Sequence, residues 1–450
     1  MSEKNTSNIS IGEKLAYGIG DAGSNIIWAL ISSFLILYYT DHAGIAAASI
    51  GTMMLIIRLL DGGSDILMGF IVDRTKSRWG KARPWIMVSA PLMGIGLVLL
   101  FNVPQSFDET QKLIYAYLTY AFITVIVYTM VNLPYNSLLS LITSDQHERS
   151  VLTSIRFGFV MPIMTGVIVV TPYLINSIGF GQLSFIFGVI AFLLISITFW
   201  GTKERVKTLE TKSFDFKTEF KAVSSNRFFW LYTLIYALLF MINGLSAGSG
   251  VYFARDILGN IELFGLTGIA SMPGMLLGLI LFPKISEKFG KWKVMMAMLA
   301  ISAMGLIPSI LYPSNVAAYM GAMAFRGLSI ALAAGLYATV ADIVEYGEYK
   351  TGIRTDGLIF SSTSFGTKVG MGLGTAFVGW TLAWGGYQAG QVTETSLFAI
   401  KLMALYTPFV MTLVIMVVLW FANVDKVYPE VRAGLKKSHT EHAQQSEANS

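Results

Sequence analysis

Apolar stretches long enough to cross about 30 Å of hydrocarbon recur at residues 14–40, 47–71, 84–103, 112–139, 151–174, 181–201, 228–253, 261–283, 292–312, 315–341, 355–385 and 397–422. Length and spacing together predict an all-α polytopic membrane protein with about twelve transmembrane helices. The longest polar connection, near 201–227, separates two sets of six helices. The expected organisation is a tail at 1–13, a first six-helix half at 14–201, a middle loop at 202–227, a second half at 228–422 and a polar tail at 423–450. A weak internal repeat supports the division. Gly69-Phe70-Ile71-Val72-Asp73-Arg74 through Arg78-Trp79-Gly80-Lys81 follows the second span, and Pro283-Lys284-Ile285-Ser286-Glu287-Lys288-Phe289-Gly290-Lys291 follows the eighth. Parallel halves of this kind place a substrate site near mid-membrane where they meet.

Charge orients the helices. The second connection carries Arg74, Lys76, Arg78, Lys81 and Arg83, whereas the first, Asp41 to Ala46, has no lysine or arginine. Basic residues accumulate on the cytoplasmic side, so the second, middle and eighth connections are expected there, together with both termini, in an inner or plasma membrane. Of the 450 residues, 54% are hydrophobic and 13% charged, against ~25% charged in soluble domains. The net charge of +5 therefore reads as a topological signal and not as a nucleic-acid footprint. The lack of cysteine excludes disulfides, thiolate metal sites and cysteine nucleophiles. Residues 1–13 show no removable signal pattern. No phosphate loop, zinc-protease helix or Ser/His/Asp set is present, so neither an enzyme nor an organic cofactor is expected.

Three ionisable groups interrupt the second apolar run: Arg58, Asp61 and Asp65. Spacings of three and four put them on one helical face. A charge at the bilayer centre costs ~2.5–3.5 kcal/mol on insertion scales, so such groups face protein or a wet cavity. Two carboxylates and one arginine on a buried stripe read as a cation site. The ion is either Na⁺, by analogy with other hard cations that take oxygen ligands, or H⁺, because two close acids share a proton.

The fourth span repeats the spacing with Thr129, Asn132 and Asn136. Neutral amides there suit sugar hydroxyls, or simply tie helices together at ~0.6 kcal/mol per contact. Asp21, Ser24, Asn25 and Trp28 share a face of the first span; Trp28 is a stacking platform for a sugar ring or a packing residue. Lys368 lies midway along the eleventh span among Gly366, Gly370, Gly372 and Gly374, which permit close helix approach. Pairing with Asp61 or Asp65 would keep it charged, in a coupling role or a structural one. Arg156 is a further candidate, and Arg326 in the tenth span reads equally as a candidate or as a packing or snorkelling residue.

Several motifs now form a pattern. Glu13-Lys14-Leu15-Ala16-Tyr17-Gly18-Ile19-Gly20-Asp21, Tyr39-Thr40-Asp41, Arg58-Leu59-Leu60-Asp61 to Asp65, Asp73-Arg74-Thr75-Lys76-Ser77-Arg78-Trp79-Gly80-Lys81, Asn132-Leu133-Pro134-Tyr135 and Asp342-Ile343-Val344-Glu345-Tyr346-Gly347-Glu348 resemble the glycoside-pentoside-hexuronide:cation symporters. This is the melibiose-carrier group of the major facilitator superfamily, and the likeness covers residues 11 to 425. Thr202-Lys203-Glu204-Arg205-Val206 and Gly385-Gly386-Tyr387 look more like its glucuronide and xyloside branches. The resemblance implies the major facilitator fold, with Asp61, Asp65 and Thr129 at the cation, Lys368 coupling cation to sugar, and Arg58 and Arg156 shaping the sugar pocket and gate. Asp73, Arg74, Asp342 and Glu345 are candidates for a cytoplasmic gate. Melibiose carriers have a Lys-Asp pair where this chain has Ser24-Asn25, an acid and a tryptophan at Asn132 and Asn136, and a tryptophan at Ala333. A galactoside is thereby disfavoured, while both a hexuronide and a neutral xyloside remain open.

The expectation is a cation-coupled sugar symporter working by alternating access as a monomer in the bilayer, with Asp21, Asn25, Trp28, Asn132, Asn136 and Arg156 as sugar contacts. The alternatives are a lipid or drug carrier on the same fold, a membrane sugar sensor, and an integral membrane enzyme using Asp61 and Asp65 as acid and base.

Overall fold

The computed structural model describes residues 9–206, 221, 223–353 and 355–435. Most of the expected middle loop, residues 1–8 of the N-terminal tail and the C-terminal tail beyond residue 435 lie outside the described residues. Helices dominate, and among the described residues the one β contact is an isolated bridge between Gln388 and Gln391. In order they are α1 (Ile11–His42), α2 (Ala47–Arg74), α3 (Arg83–Leu100) and α4 (Glu109–Ile142). A continuous run, Gln146–Gly201, breaks at Gly179 (φ 73°) into α5 (146–178) and α6 (180–201). Then follow α7 (Arg227–Ile257), α8 (Leu263–Phe289), α9 (Lys291–Leu311), α10 (Val316–Thr351), α11 (Asp356–Trp384) and α12 (Glu394–Phe421). These are the membrane-length helices of an all-α polytopic protein. Ala47–Arg74, at 28 residues, is longer than α3 and carries Arg58, Asp61 and Asp65 in its middle.

Polar residues at the helix starts satisfy backbone N–H groups that have no intrahelical acceptor. Ser10 Oγ accepts from Glu13 N at 3.2 Å, Asp145 Oδ1 from His147 N at 2.7 Å, and Asn315 Oδ1 from Ala318 N at 3.0 Å. Asp108 and Gln111 form a reciprocal capping box at α4. Helices overrun the apolar runs where such polar turns continue them. α10 extends past residue 341 to Thr351, where Gly352 at φ 70° stops it.

The chain forms two compact units. One comprises Met1–Thr211, Ala247–Leu266 and Thr375–Ile400; the other comprises Lys212–Ser246, Thr267–Gly374 and Lys401–Ser450. In the first, α3 and α6 touch backbone to backbone, since a methyl at Gly94 would come within 2.8 Å of Gly188 O. Thr198 Oγ1 of α6 donates to Ala16 O of α1 at 2.8 Å. The second unit is built on a core that includes Phe228, Tyr232, Tyr236, Met295, Leu299, Leu332, Leu336, Ile415 and Leu419. Outward-facing stripes such as Phe185, Val189, Leu193 and Ile197 on α6 are exposed. Contiguous apolar surface of this kind is unusual on a soluble monomer and suits hydrocarbon.

Candidate functional site

The α2 face meets α1 and α4 inside the first unit. Arg58 and Asp61 are buried, at 6% and 3% exposure, and their charged atoms lie 3.6 Å apart. The Arg58 guanidinium sits 4.1 Å from the Trp28 ring centroid, and Trp28 in turn packs on Tyr128 at 5.4 Å. One face of Trp28 is thus covered by a cation. Thr129 Oγ1 of α4 lies 3.3 Å from Asp61 Oδ1 and 3.5 Å from Asp65 Oδ1. It is also 3.1 Å from Ser64 Oγ, whose hydroxyl donates to Asp61 O at 2.9 Å. Two carboxylate oxygens therefore converge on a hydroxyl that has one hydrogen to give, a donor set of hard oxygens suited to a small cation.

A second polar chain runs beside it through α1, α4 and α5. Arg156 Nε donates to Asp21 Oδ2 at 2.7 Å and Nη1 to Asn136 Oδ1 at 2.8 Å. Asn136 Nδ2 donates to Asn132 Oδ1 at 2.7 Å, and Asn25 Nδ2 to Asp21 O at 2.8 Å. The arginine lies over Tyr135, 5.0 Å from its ring centroid, and Tyr135 stacks on Tyr17 at 4.8 Å while donating to Tyr17 O. Asp21 is committed to Arg156. The Asn132 amide nitrogen and the Asn25 carbonyl oxygen have no protein partner among the described residues. They are one donor and one acceptor, the complement of a sugar hydroxyl.

Lys368 belongs to the second unit, on α11. The helix is held against α7 by glycines on either side of it: a methyl at Gly366 would come within 2.8 Å of Thr233 O, and Gly370 lies against Ala237 O. In the same unit Lys291 Nζ is 2.6 Å from Asp342 Oδ2, and the Tyr428 hydroxyl donates to Glu345 Oε2 at 2.9 Å. Burial, with Glu345 adding to it, pushes the Tyr428 hydroxyl up to about 12. Asp73 and Arg74, in the first unit, are both exposed, with Arg74 stacked 3.6 Å over Phe70. Arg326 donates to Ile242 O at 3.4 Å.

Sequence reasoning missed three clusters of long-range partners. The Glu204 carboxylate accepts from the backbone N–H groups of Lys81, Ala82 and Arg83 at 2.8, 2.8 and 3.0 Å, so it serves as a cap for α3. Glu13 holds Arg205 through two 2.7 Å bonds, and that bonding raises the arginine's pKa. At the opposite end of the first unit, Arg255 binds Asp41 at 2.5 Å, Asp256 at 2.7 Å and the Tyr387 hydroxyl. Burial, reinforced by Asp41, raises the Tyr387 pKa, and its hydroxyl donates back to Asp41 at 3.0 Å. The signal was present in part, since Tyr39-Thr40-Asp41 and Gly385-Gly386-Tyr387 stood out as motifs, but Arg255 carried no local mark.

A polytopic helical protein with paired charges and aligned amides inside its spans is built to conduct or carry a polar solute through lipid. Comparison with known proteins makes the class specific. A family model described as MFS/sugar transport protein matches residues 16–426. The chain belongs to this family, and within it to the glycoside-pentoside-hexuronide group of the major facilitator superfamily. It is 32% identical to the inner membrane symporter YicJ of Escherichia coli (strain K12), over 89% of this chain and 88% of that one. It is 31% identical to the isoprimeverose transporter of Lactiplantibacillus pentosus, over 95% and 92%. The crystal structure of the nucleoside transporter NupG superposes with a TM-score of 0.63 at 16% identity, covering 90% of this chain and 98% of that one. The fold is therefore that of the major facilitators, and the protein is a multi-pass membrane protein.

Proposed function

We propose that the protein imports a glycoside, pentoside or hexuronide across the inner or plasma membrane, coupled to Na⁺ or H⁺, by alternating access. The observation that carries this reading is the position of Thr129 Oγ1, 3.3 Å from Asp61 and 3.5 Å from Asp65 midway along α2. Na⁺ would take the two carboxylates and the hydroxyl as ligands; H⁺ would be shared between the acids. Either neutralises buried negative charge and favours the sugar-binding state. Coupling is then reciprocal, each ligand raising the other's affinity by the same factor. Arg58, bound to Asp61, and Lys368 transmit that change. Asn25, Trp28, Asn132, Asn136 and Arg156 contact the sugar, with Asp21 fixing the arginine, and Asp73, Arg74, Asp342 and Glu345 gate the cytoplasmic side. Both termini are cytoplasmic and one chain suffices.

The test is a sugar panel offered to the purified protein in proteoliposomes under imposed Na⁺ and pH gradients. A symporter concentrates a sugar only with an inward cation gradient and returns it chemically unchanged. Equal uptake with and without either gradient would remove the coupling, and a chemically altered sugar would point to an enzyme.

A further inference from the structure

On the outer face of the second unit, α8 and α9 leave a groove of about 370 Å³. One wall is the α8 stripe Leu277, Leu281, Ile285 and Phe289, exposed by 55%, 43%, 38% and 53%. Repeating every fourth residue, these side chains line up along one helix face. The groove ends near the Gly290 turn, where Lys293 forms part of its wall and Lys288 lies 5.3 Å over the Phe289 ring. Neither lysine has a carboxylate partner among the described residues, whereas neighbouring Lys291 is held by Asp342 at 2.6 Å. The first unit differs in this respect. Its groove between α3 and α6, of about 360 Å³, is equally apolar and has no charged residue in its lining.

We propose that the α8–α9 groove is a binding site for an anionic phospholipid, with one acyl chain along the Leu277–Phe289 stripe and the headgroup phosphate between Lys288 and Lys293. The occupant must be apolar over most of its length, because both walls belong to membrane-spanning helices. It must be negative at one end, because Lys293 lines that end and Lys288 lies beside it over Phe289, neither of them in an ion pair among the described residues. A bilayer lipid meets both conditions, and basic pockets between spanning helices are recurrent sites for acidic headgroups. This inference rests on the membrane fold and is independent of which solute is carried.

The experiment is native mass spectrometry of the purified full-length protein, titrated with phosphatidylglycerol against phosphatidylcholine, with thermal unfolding followed in parallel. Two lysines at a membrane surface should give roughly thirtyfold preference for the anionic lipid. Lys288→Gln with Lys293→Gln should bring the preference close to one while leaving the fold intact. Ala297→Trp, which fills the groove, should reduce retention of both lipids, whereas Val189→Trp in the uncharged groove should leave the anionic preference unchanged. No preference in the wild type, an undiminished preference in the double lysine variant, or loss through Val189→Trp would each overturn the assignment. Should Ala297→Trp not fold, the lysine variant decides alone.

Discussion

Thr129→Val removes one oxygen and keeps the side-chain shape, so it isolates what the hydroxyl contributes at the acid pair. A hydrogen bond or ligand contact to a charged group contributes ~1.5–3 kcal/mol, which converts to about 10- to 150-fold at ~1.4 kcal/mol per decade. The contacts here are long, 3.3 and 3.5 Å, placing the expectation at the lower end. Thr129→Val should raise the cation concentration for half-maximal sugar uptake by about tenfold, and Thr129→Ser should stay close to wild type. The assay is initial uptake in proteoliposomes as a function of external Na⁺ and of pH. Wild-type cation dependence in Thr129→Val would show that the hydroxyl is not a ligand and that its position between the carboxylates is a packing detail.

Other consequences are as direct. Asp61→Asn and Asp65→Asn should each abolish gradient-driven accumulation while sparing sugar exchange; full accumulation in both variants would remove the acid pair from coupling. Arg156→Met strands Asp21, whose side chain is 11% exposed, and should lower stability by about 3–5 kcal/mol, since breaking a buried pair leaves an uncompensated charge. Adding Asp21→Asn should restore most of the melting temperature, and an unchanged melting temperature in the single variant would refute the burial argument. Arg255→Gln removes the cation shared by Asp41, Asp256 and Tyr387, so amide exchange at residues 40–45 and 385–390 should accelerate. Unaltered exchange there would mean the cluster does not hold that end of the first unit together.

Local patterns in the chain revealed what depends on local spacing. The apolar runs marked the helices, and the three-then-four intervals put Arg58, Asp61 and Asp65 on one face, as the positions of Thr129 and Trp28 against them require. Gly366 and Gly370 were legible as close-contact residues because only a missing side chain admits the α7 backbone. Partners distant in sequence were not legible. Arg156 reaches Asp21 across 135 residues, Glu204 caps α3 from more than 120 residues away, and Arg255 gathers Asp41 and Tyr387 from opposite ends of the chain. Periodicity records which face a residue occupies and carries no information about the helix that face will meet. The single helix run from Gln146 to Gly201 shows the same limit: two apolar spans were evident, but the turn between them is made by Gly179 alone at φ 73°.

The most direct measurement is sugar binding to the purified protein across a sodium and pH titration, in wild type and in Asp61→Asn. Coupled symport requires that raising one of the two cations tighten sugar binding, that sugar tighten cation binding by the same factor, and that both effects vanish in the variant. A sugar affinity indifferent to sodium and to pH in the wild type would contradict it.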